Sequence, residues 1–291
     1  MKSLPIILAA VTLLVCIPLS MAQTSANVVQ ANVTFTTIDV PGAKYTGVWG
    51  TNTAGDMVGN YGQDTNQDSH GFLYSNGTFT YFDYPGQVVT LPHGINDSGI
   101  IAGKAGQNPV VGFTYDGTNF TTVKHGSDSA TFVLAINNNG DLVGGTGSIY
   151  ATKGFDLTAG KFKRLSPPGN FIYVYGTGIN NFGEIVGFDD NGGFIFKNGR
   201  FQTVVFPGAV DTTVLGVNDN GVIVGWYDAS GATCTCAFVL KNGKFLSFSY
   251  PGAAATAAAG INSAGQVVGQ YTFDYQAWHG FVTNPIAGLN P

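Results

Sequence analysis

The sequence predicts an all-β fold, a six-bladed β-propeller of four-stranded blades whose ring is closed by the N-terminal strand completing the last blade. Three observations carry that prediction: a glycine-rich, charge-poor composition, a turn motif that recurs six times, and chain ends that supply complementary halves of one blade. Of 291 residues 42 are glycine, and Asp, Glu, Lys and Arg together make up 10%, where an ordinary domain has about 7% glycine and about 25% charged residues. With 44% hydrophobic and 13% aromatic residues the chain is not intrinsically disordered, since disorder needs low hydrophobicity and high charge. Glycine inside a helix costs about 1 kcal/mol relative to alanine, so this much of it favours many turns between strands.

From the N-terminus, Lys2 supplies a positive start, residues 5–19 form an almost unbroken apolar run, and Ser20-Met21-Ala22 offers small residues at the positions a signal peptidase reads. Residues 1–22 are therefore expected to be a signal peptide cleaved before Gln23, the run being short for a membrane span of about 20 residues. Val15 before Cys16 departs from a lipoprotein signal. Residues 23–32 form a short lead, 33–285 a single propeller and 286–291 a C-terminal tail. The expected location is secreted and extracellular, with the periplasm or cell surface as the other exported compartments. Without Lys2, 11 basic residues face 17 acidic ones. That balance provides no clustered positive charge for nucleic acid or anionic lipid, and no later segment is apolar enough to span a membrane. Only Cys234 and Cys236 remain after cleavage. Two cysteines one residue apart bridge only with strain, so their pairing is left open.

The repeat is centred on Gly94-Ile95-Asn96-Asp97-Ser98-Gly99, with relatives whose asparagines stand at 52, 137, 180, 218 and 262. Successive spacings of 44, 41, 43, 38 and 44 residues fall in the range of propeller blades. In Asn-x-x-Gly the asparagine suits the first position of a type I turn and the glycine a left-handed fourth position. One strand precedes this turn and a second follows it. A third begins at Gly-Phe, as in Gly71-Phe72, and a fourth ends at Pro-Gly, as in Pro85-Gly86, with His125-Gly126 in one departing copy. Phe35, Phe79, Phe120, Phe162, Phe201 and Phe245 recur in the fourth strand and are expected to pack blade against blade. The chain opens on an isolated fourth strand, residues 34–40, and closes on a third strand at Gly280-Phe281-Val282. Six complete blades exist only if these two ends pair, which removes an exposed sheet edge.

The Asn-x-x-Gly-x-(Ile/Val)-Val-Gly motif, the triplets His70-Gly71-Phe72, His279-Gly280-Phe281 and Cys236-Ala237-Phe238, and Thr37-Ile38-Asp39-Val40-Pro41-Gly42 together resemble the HAF-repeat extracellular proteins of bacteria, named for a His-Ala-Phe triplet. The resemblance spans nearly all of the mature chain and implies export and a repeat array. It implies no activity and no catalytic set. Val111, Lys153, Gly192 and Cys236 stand where the triplet has histidine, which argues against the histidine as a repeated ligand.

Function is then expected where the copies differ. From the Val-Gly glycine to the residue before Phe, the spans are 12, 9, 10, 6, 12 and 11 residues, so blades five, six and one should raise a rim on one side of the ring. The expected ligand-binding residues of that rim are Tyr61, Asp64, Trp226, Tyr227, Tyr271, Tyr275 and Trp278. Aromatic faces beside carboxylates suit sugar rings. If the protein is an enzyme, a lyase or glycoside hydrolase, its acids and bases come from Asp68, His70, Asp228, Asp274 and His279. Glycoside hydrolysis needs two positioned carboxylates, and the sole glutamate, Glu184, occupies a hairpin column and reads as structural. Asp64, Asn66 and Asp68 sit at alternate positions like the start of a calcium loop, without its glycine and distal Glu, so calcium is the one metal considered and no cofactor is expected. No nucleophile elbow, phosphate loop or dinucleotide fingerprint is present. The sequence therefore points to a secreted, monomeric, non-enzymatic propeller that binds an extracellular glycan or protein ligand. A carbohydrate-active enzyme and a structural or adhesive surface protein are the alternatives.

Overall fold

The computed structural model describes residues 28–30, 33–64, 68–148, 150–229 and 235–286. The expected signal peptide, Asn66 and Cys234 lie outside the described residues. Every regular element is a β-strand. The first two are β1 (Val28–Gln30) and β2 (Phe35–Ile38). Four meanders follow: β3 (Tyr45–Thr51), β4 (Met57–Asp64), β5 (Asp68–Ser75) and β6 (Thr78–Phe82); β7 (Thr90–Ile95), β8 (Ile101–Ala105), β9 (Val111–Tyr115) and β10 (Phe120–Val123); β11 (Ala130–Ile136), β12 (Leu142–Ser148), β13 (Ala151–Thr158) and β14 (Lys161–Arg164); β15 (Val174–Ile179), β16 (Ile185–Asp189), β17 (Gly192–Lys197) and β18 (Arg200–Val204). Each forms one four-stranded antiparallel sheet.

The remaining strands, β19 (Ala209–Val217), β20 (Ile223–Ala229), β21 (Thr235–Lys241), β22 (Lys244–Phe248), β23 (Ala255–Ile261), β24 (Val267–Thr272) and β25 (His279–Thr283), join β1 and β2 in a nine-stranded sheet. Its pairings resolve into two further meanders, β19 to β22 and β23 to β25 with β2, linked by a single parallel bridge between Thr235 and Ala255. The same kind of lone parallel bridge joins neighbouring sheets at Tyr45 and Trp278, Ser69 and Val89, Val110 and Ala130, and Thr152 and Tyr173. β2 pairs antiparallel with β25, Phe35 opposite Thr283 and Ile38 opposite Gly280. β1 lies parallel to β22 and covers its outer edge.

The asparagine turns form as their chemistry dictates. In the turn after β19, Asn218 Oδ1 accepts the N–H groups of Asn220 and Val222 at 3.0 Å each, and Gly221 closes it with φ of 66°. Each turn asparagine also reaches the next turn. Its Nδ2 donates to the main-chain carbonyl of the following asparagine, from Asn52 to Asn96, Asn137, Asn180, Asn218 and Asn262, and Asn262 donates back to Asn52 at 3.1 Å. All six are buried. Beside this cycle runs a partial second one, in which the side chains of Asp97, Asn138, Asn181 and Asp219 accept the N–H of Thr53, Asp97, Asn138 and Asn181.

The first strand of every sheet carries a bulge at the same place, between Val48 and Gly50 and its five equivalents. The residue after it is glycine in five copies because the innermost strands touch there. A Cβ on Gly216 would stand 2.9 Å from the Ala259 carbonyl oxygen, and one on Gly260 2.8 Å from that of Trp49. Between sheets, hydrophobic layers hold the fold. The Gly-Phe phenylalanines are buried, and each meets its own sheet's fourth-strand phenylalanine edge-on, from Phe155 with Phe162 at 4.9 Å to Phe238 with Phe245 at 5.4 Å. The expected column thus caps the core phenylalanine of its own sheet and also packs against the preceding one, Phe120 on Tyr84 at 5.2 Å and Phe245 on Phe206 at 5.0 Å. Ile286, assigned from the sequence to the tail, is buried in the core beside Phe281.

Candidate functional site

The rim residues expected from the sequence divide between surface and core. Tyr227 and Tyr271 are 4% exposed, which corrects their assignment as ligand-facing. Tyr227 stacks on Phe206 at 3.5 Å and shares a hydrogen bond with Ser247 at 2.8 Å. Tyr271 stacks on Tyr250 at 3.6 Å and meets the Thr37 hydroxyl at 3.0 Å. Burial pushes both phenols up to about 12. Tyr61 is half-buried between His70 and Tyr81, with ring centroids at 5.5 and 5.1 Å. Tyr275 is exposed and its hydroxyl donates to the Ala254 carbonyl; Trp278 lies edge-on to it at 6.4 Å.

The acid and base candidates do not form one constellation. His70 pairs with Asp83 at 2.9 Å and His279 with Asp39 at 2.7 Å. Asp228 accepts from the Thr235 hydroxyl, and Asp274 caps its own turn by accepting from Gln276 and Ala277, which hold its carboxyl below the usual range. Asp68 offers its main-chain carbonyl to the Tyr45 hydroxyl at 2.7 Å. Among the described residues no group of three His, Cys, Asp or Glu side chains is placed to hold a metal. Glu184 pairs with Lys197 at 2.8 Å, a structural role. The long connection of the first full meander is mostly paired strand, with Tyr61 opposite His70 and Asp64 opposite Asp68, because continuing the ladder satisfies main-chain groups that a loop would leave to water.

A concave site lies where the first strands of the six meanders gather about a common axis. A cavity of about 530 Å³ is lined by Trp49 of β3, Tyr173 and Tyr175 at the start of β15, Phe188 and Asp189 at the end of β16, Asp190 after it, Asp211, Thr213 and Leu215 of β19, Trp226 of β20, Ala257 of β23 and Gln270 of β24. Beyond it a smaller, open cavity of about 110 Å³ is lined by the six Asn-turn segments, with Trp49 and Leu215 lining both spaces. Two strand columns recur in the lining. One is three residues before the bulge glycine and contains Tyr175, Thr213 and Ala257. The other directly follows the Val-Gly glycine and contains Asn60, Lys104, Gly145, Phe188, Trp226 and Gln270.

The lining is polarised. On one side Asp190 accepts the N–H groups of Ile172 and Tyr173 at 2.7 and 3.0 Å, fixing the entry to β15. Asp189 has its carboxyl pushed up by burial, against a hydrogen bond from the Asn191 N–H, with the neighbouring Asp190 charge adding to the rise. Tyr175 lies 5.2 Å from Phe188 and 5.9 Å from Phe132. Outside this lining, but in the strand column that includes Phe188, Trp226 and Gln270, Lys104 of β8 places its ammonium 5.2 Å from the centroid of Phe132, within cation–π range. Burial lowers its pKa to about 8. His93 of β7 lies 5.3 Å from Trp49, and burial, then the Lys104 charge, keeps it well below its ordinary value. The Trp49 indole N–H donates to Asn60 Oδ1.

Of the expected rim only Trp226 lines this cavity. The signal that finds the others is variation within the repeat: the two preceding columns hold Val or Ala and then Gly, while this column runs through amide, ammonium, hydrogen, phenyl, indole and amide.

A scan against protein-family models gives no match, and a search of curated proteins gives none either. Solved structures do match. YCF48 bound to D1 peptide aligns at a TM-score of 0.50 and 10% identity over 89% of this chain and 99% of that one. TolB from Acinetobacter baumannii aligns at 0.51 and 11% identity over 83% of this chain and 65% of its own. The β-propeller domain of the Trilobed protease from Pyrococcus furiosus aligns at 0.44 and 10% identity, over 86% and 97% of the two chains. At such identities the likeness to YCF48 and TolB speaks to fold alone, and that fold is a β-propeller of four-stranded sheets.

Proposed function

We propose that this chain is a secreted, non-enzymatic, six-bladed β-propeller, closed by β2 in the last blade, that binds an extracellular carbohydrate in its axial cavity. Closure into six is supported by the asparagine cycle, which returns from Asn262 to Asn52, and by the pairing of β2 with β25. Secretion rests on the N-terminal pattern of residues 1–22 and on the resemblance to HAF-repeat proteins. The single observation that carries the ligand reading is the cavity of about 530 Å³, within the roughly 300–1,000 Å³ typical of small-molecule sites. Its walls combine Trp226, Tyr175 and Phe188 with Asp189, Asp211 and Gln270. Such a mixture stacks on the C–H faces of sugar rings while acceptors take their hydroxyl protons. The site moves from the rim to the axis because the rim tyrosines Tyr227 and Tyr271 serve the core. The acid and base candidates named from the sequence each engage separate local partners, which supports the binding reading over an enzyme that uses them.

A glycan array probed with the mature protein, Trp226→Ala and Tyr175→Ala tests this. Glycan binding weakened by both axial substitutions and retained in Tyr275→Ala/Trp278→Ala is the expected result. Binding that survives both axial changes and disappears in the rim pair returns the site to the rim. No binding by the parent protein removes the carbohydrate reading.

A further inference from the structure

A half-buried cation without a carboxylate partner among the described residues stands in a strand column whose other members line the axial cavity. Lys104 belongs to the variable column that carries Trp226 and Gln270 in other sheets, and its ammonium rests on the Phe132 ring. Among the described residues no carboxylate pairs with it. His93, which lines the smaller axial cavity, lies on the strand paired with that of Lys104, and its Nε2 is buried without a hydrogen-bond partner. Buried polar atoms such as His93 Nε2 are rarely left unsatisfied. The Lys104 charge acts on His93, and the two groups together match one missing feature, an acceptor that carries negative charge.

The opposite wall restricts what bears that charge. Asp189, Asp190 and Asp211 line it and repel a multiply charged anion. Between the two walls lie the faces of Tyr175, Phe188 and Trp226. A ring-shaped body with one carboxylate and several hydroxyls satisfies each part: carboxylate toward Lys104 and His93, hydroxyls toward the aspartates, C–H faces on the aromatic rings. We infer that the axial site takes an acidic sugar, a uronate unit of an oligosaccharide, with its carboxylate held by Lys104 Nζ and by an N–H on His93 Nε2. This rests on the carbohydrate reading above and adds the class of sugar and its orientation.

The experiment is calorimetry with trigalacturonate and with galactotriose on the parent protein, Lys104→Met and Lys104→Arg. Methionine keeps an unbranched apolar stem while removing the ammonium, a thermal melt of each variant checks that the fold is retained, and arginine keeps the charge. The expected result is trigalacturonate bound about tenfold or more tighter than galactotriose, the scale of a charge-assisted contact. Lys104→Met abolishes that preference, and Lys104→Arg keeps most of it. Equal affinity for the two sugars, or a preference that persists in Lys104→Met, overturns the acidic subsite while leaving a glycan site standing. If neither sugar binds, the carbohydrate reading fails by itself, and titration with sodium acetate followed by NMR of the His93 and Trp49 rings decides the anion site. Shifts in the parent that vanish in Lys104→Met support it, and their absence overturns it. A peptide bound through its free C-terminal carboxylate, with affinity lost on amidation and no trigalacturonate binding, overturns the proposal in favour of a protein partner.

Discussion

The Asn262 side-chain amide donates to the main-chain carbonyl of Asn52 at 3.1 Å across 210 residues of sequence. That contact links the last asparagine turn to the first and makes the six turns a cycle rather than a row. Each member caps its own hairpin and ties it to the next, so local turn geometry and long-range order depend on the same side chain.

Asn218→Ala is expected to destabilise the protein by about 2–4 kcal/mol, because the buried Val222 N–H, the part-buried Asn220 N–H and the Asn262 carbonyl lose their partner and each unsatisfied buried group costs about 1–3 kcal/mol, part of it recovered by local relaxation. Denaturant unfolding measures this. A loss below about 0.5 kcal/mol, the ordinary range for surface substitutions, contradicts the structural role.

Two glycines separate crowding from strain. A Cβ on Gly225 would lie 2.0 Å from the Thr213 carbonyl oxygen and 2.9 Å from the Phe238 ring, while Gly243 has φ of 75° and open space around it. Gly225→Ala should cost about 3 kcal/mol or more through overpacking. Gly243→Ala should cost about 1–2 kcal/mol from left-handed backbone alone. Thermal melts of the two variants check the order, and a reversed order refutes it.

Core and channel should respond oppositely to truncation of adjacent residues. Tyr227→Ala empties the stack on Phe206 and is expected to cost about 3–5 kcal/mol, leaving the intrinsic affinity of the folded fraction intact. Trp226→Ala should weaken ligand binding with a smaller loss of stability. Paired melting and binding measurements test this, and the converse pattern would place Tyr227 at the ligand.

Deleting residues 33–40 removes β2, leaving β25 as an open edge and Phe281 without the Phe35 ring that meets it at 5.3 Å. The truncated protein should lose its cooperative melt and aggregate. A synthetic peptide of residues 33–40 should restore part of the transition by strand addition. A truncated chain that melts like the parent contradicts closure by this strand.

Lys104 gives the alkaline limb of stability a particular shape. Its pKa falls from 10.5 to about 8 on burial, so between those values the unfolded chain holds a proton that the folded chain has lost. Stability from this group therefore rises with pH through that window, following the linkage relation. Tyr227 and Tyr271, raised from 10.0 to about 12, keep their protons longer when folded, so their contribution declines above pH 10. Lys104→Met should flatten the rise between pH 8 and 10 and leave the later decline. An unchanged profile in Lys104→Met would refute the assignment.

The hairpins were legible because a turn writes its needs locally: Asn for the cap, Gly for a left-handed residue, Pro-Gly at the exit of every meander but one. Pairing of the chain ends was legible for a similar reason, since an isolated fourth strand and an unfinished meander have one economical solution. The site was harder to read because each sheet gives only a few residues to the axis, and they meet across more than 200 residues of sequence. Trp226 and Tyr227 show the limit. Neighbours along a strand face opposite ways, so grouping them in one site conflicted with the pleat, and the structure sends Trp226 to the channel and Tyr227 into the core. Lys104 and His93 carried no motif; only an odd residue in a repeated column distinguished them.

The asparagine cycle also divides the molecule's tasks. Its amides are committed sideways, to their own turns and to the next one, so the floor of the channel has little chemistry left to offer an incoming molecule. Identity for a ligand must be written higher up, in columns that take no part in the cycle. Those columns can be rewritten one sheet at a time while the clasp beneath stays the same. The scaffold is thereby a mount whose address can be changed without altering how it is held shut.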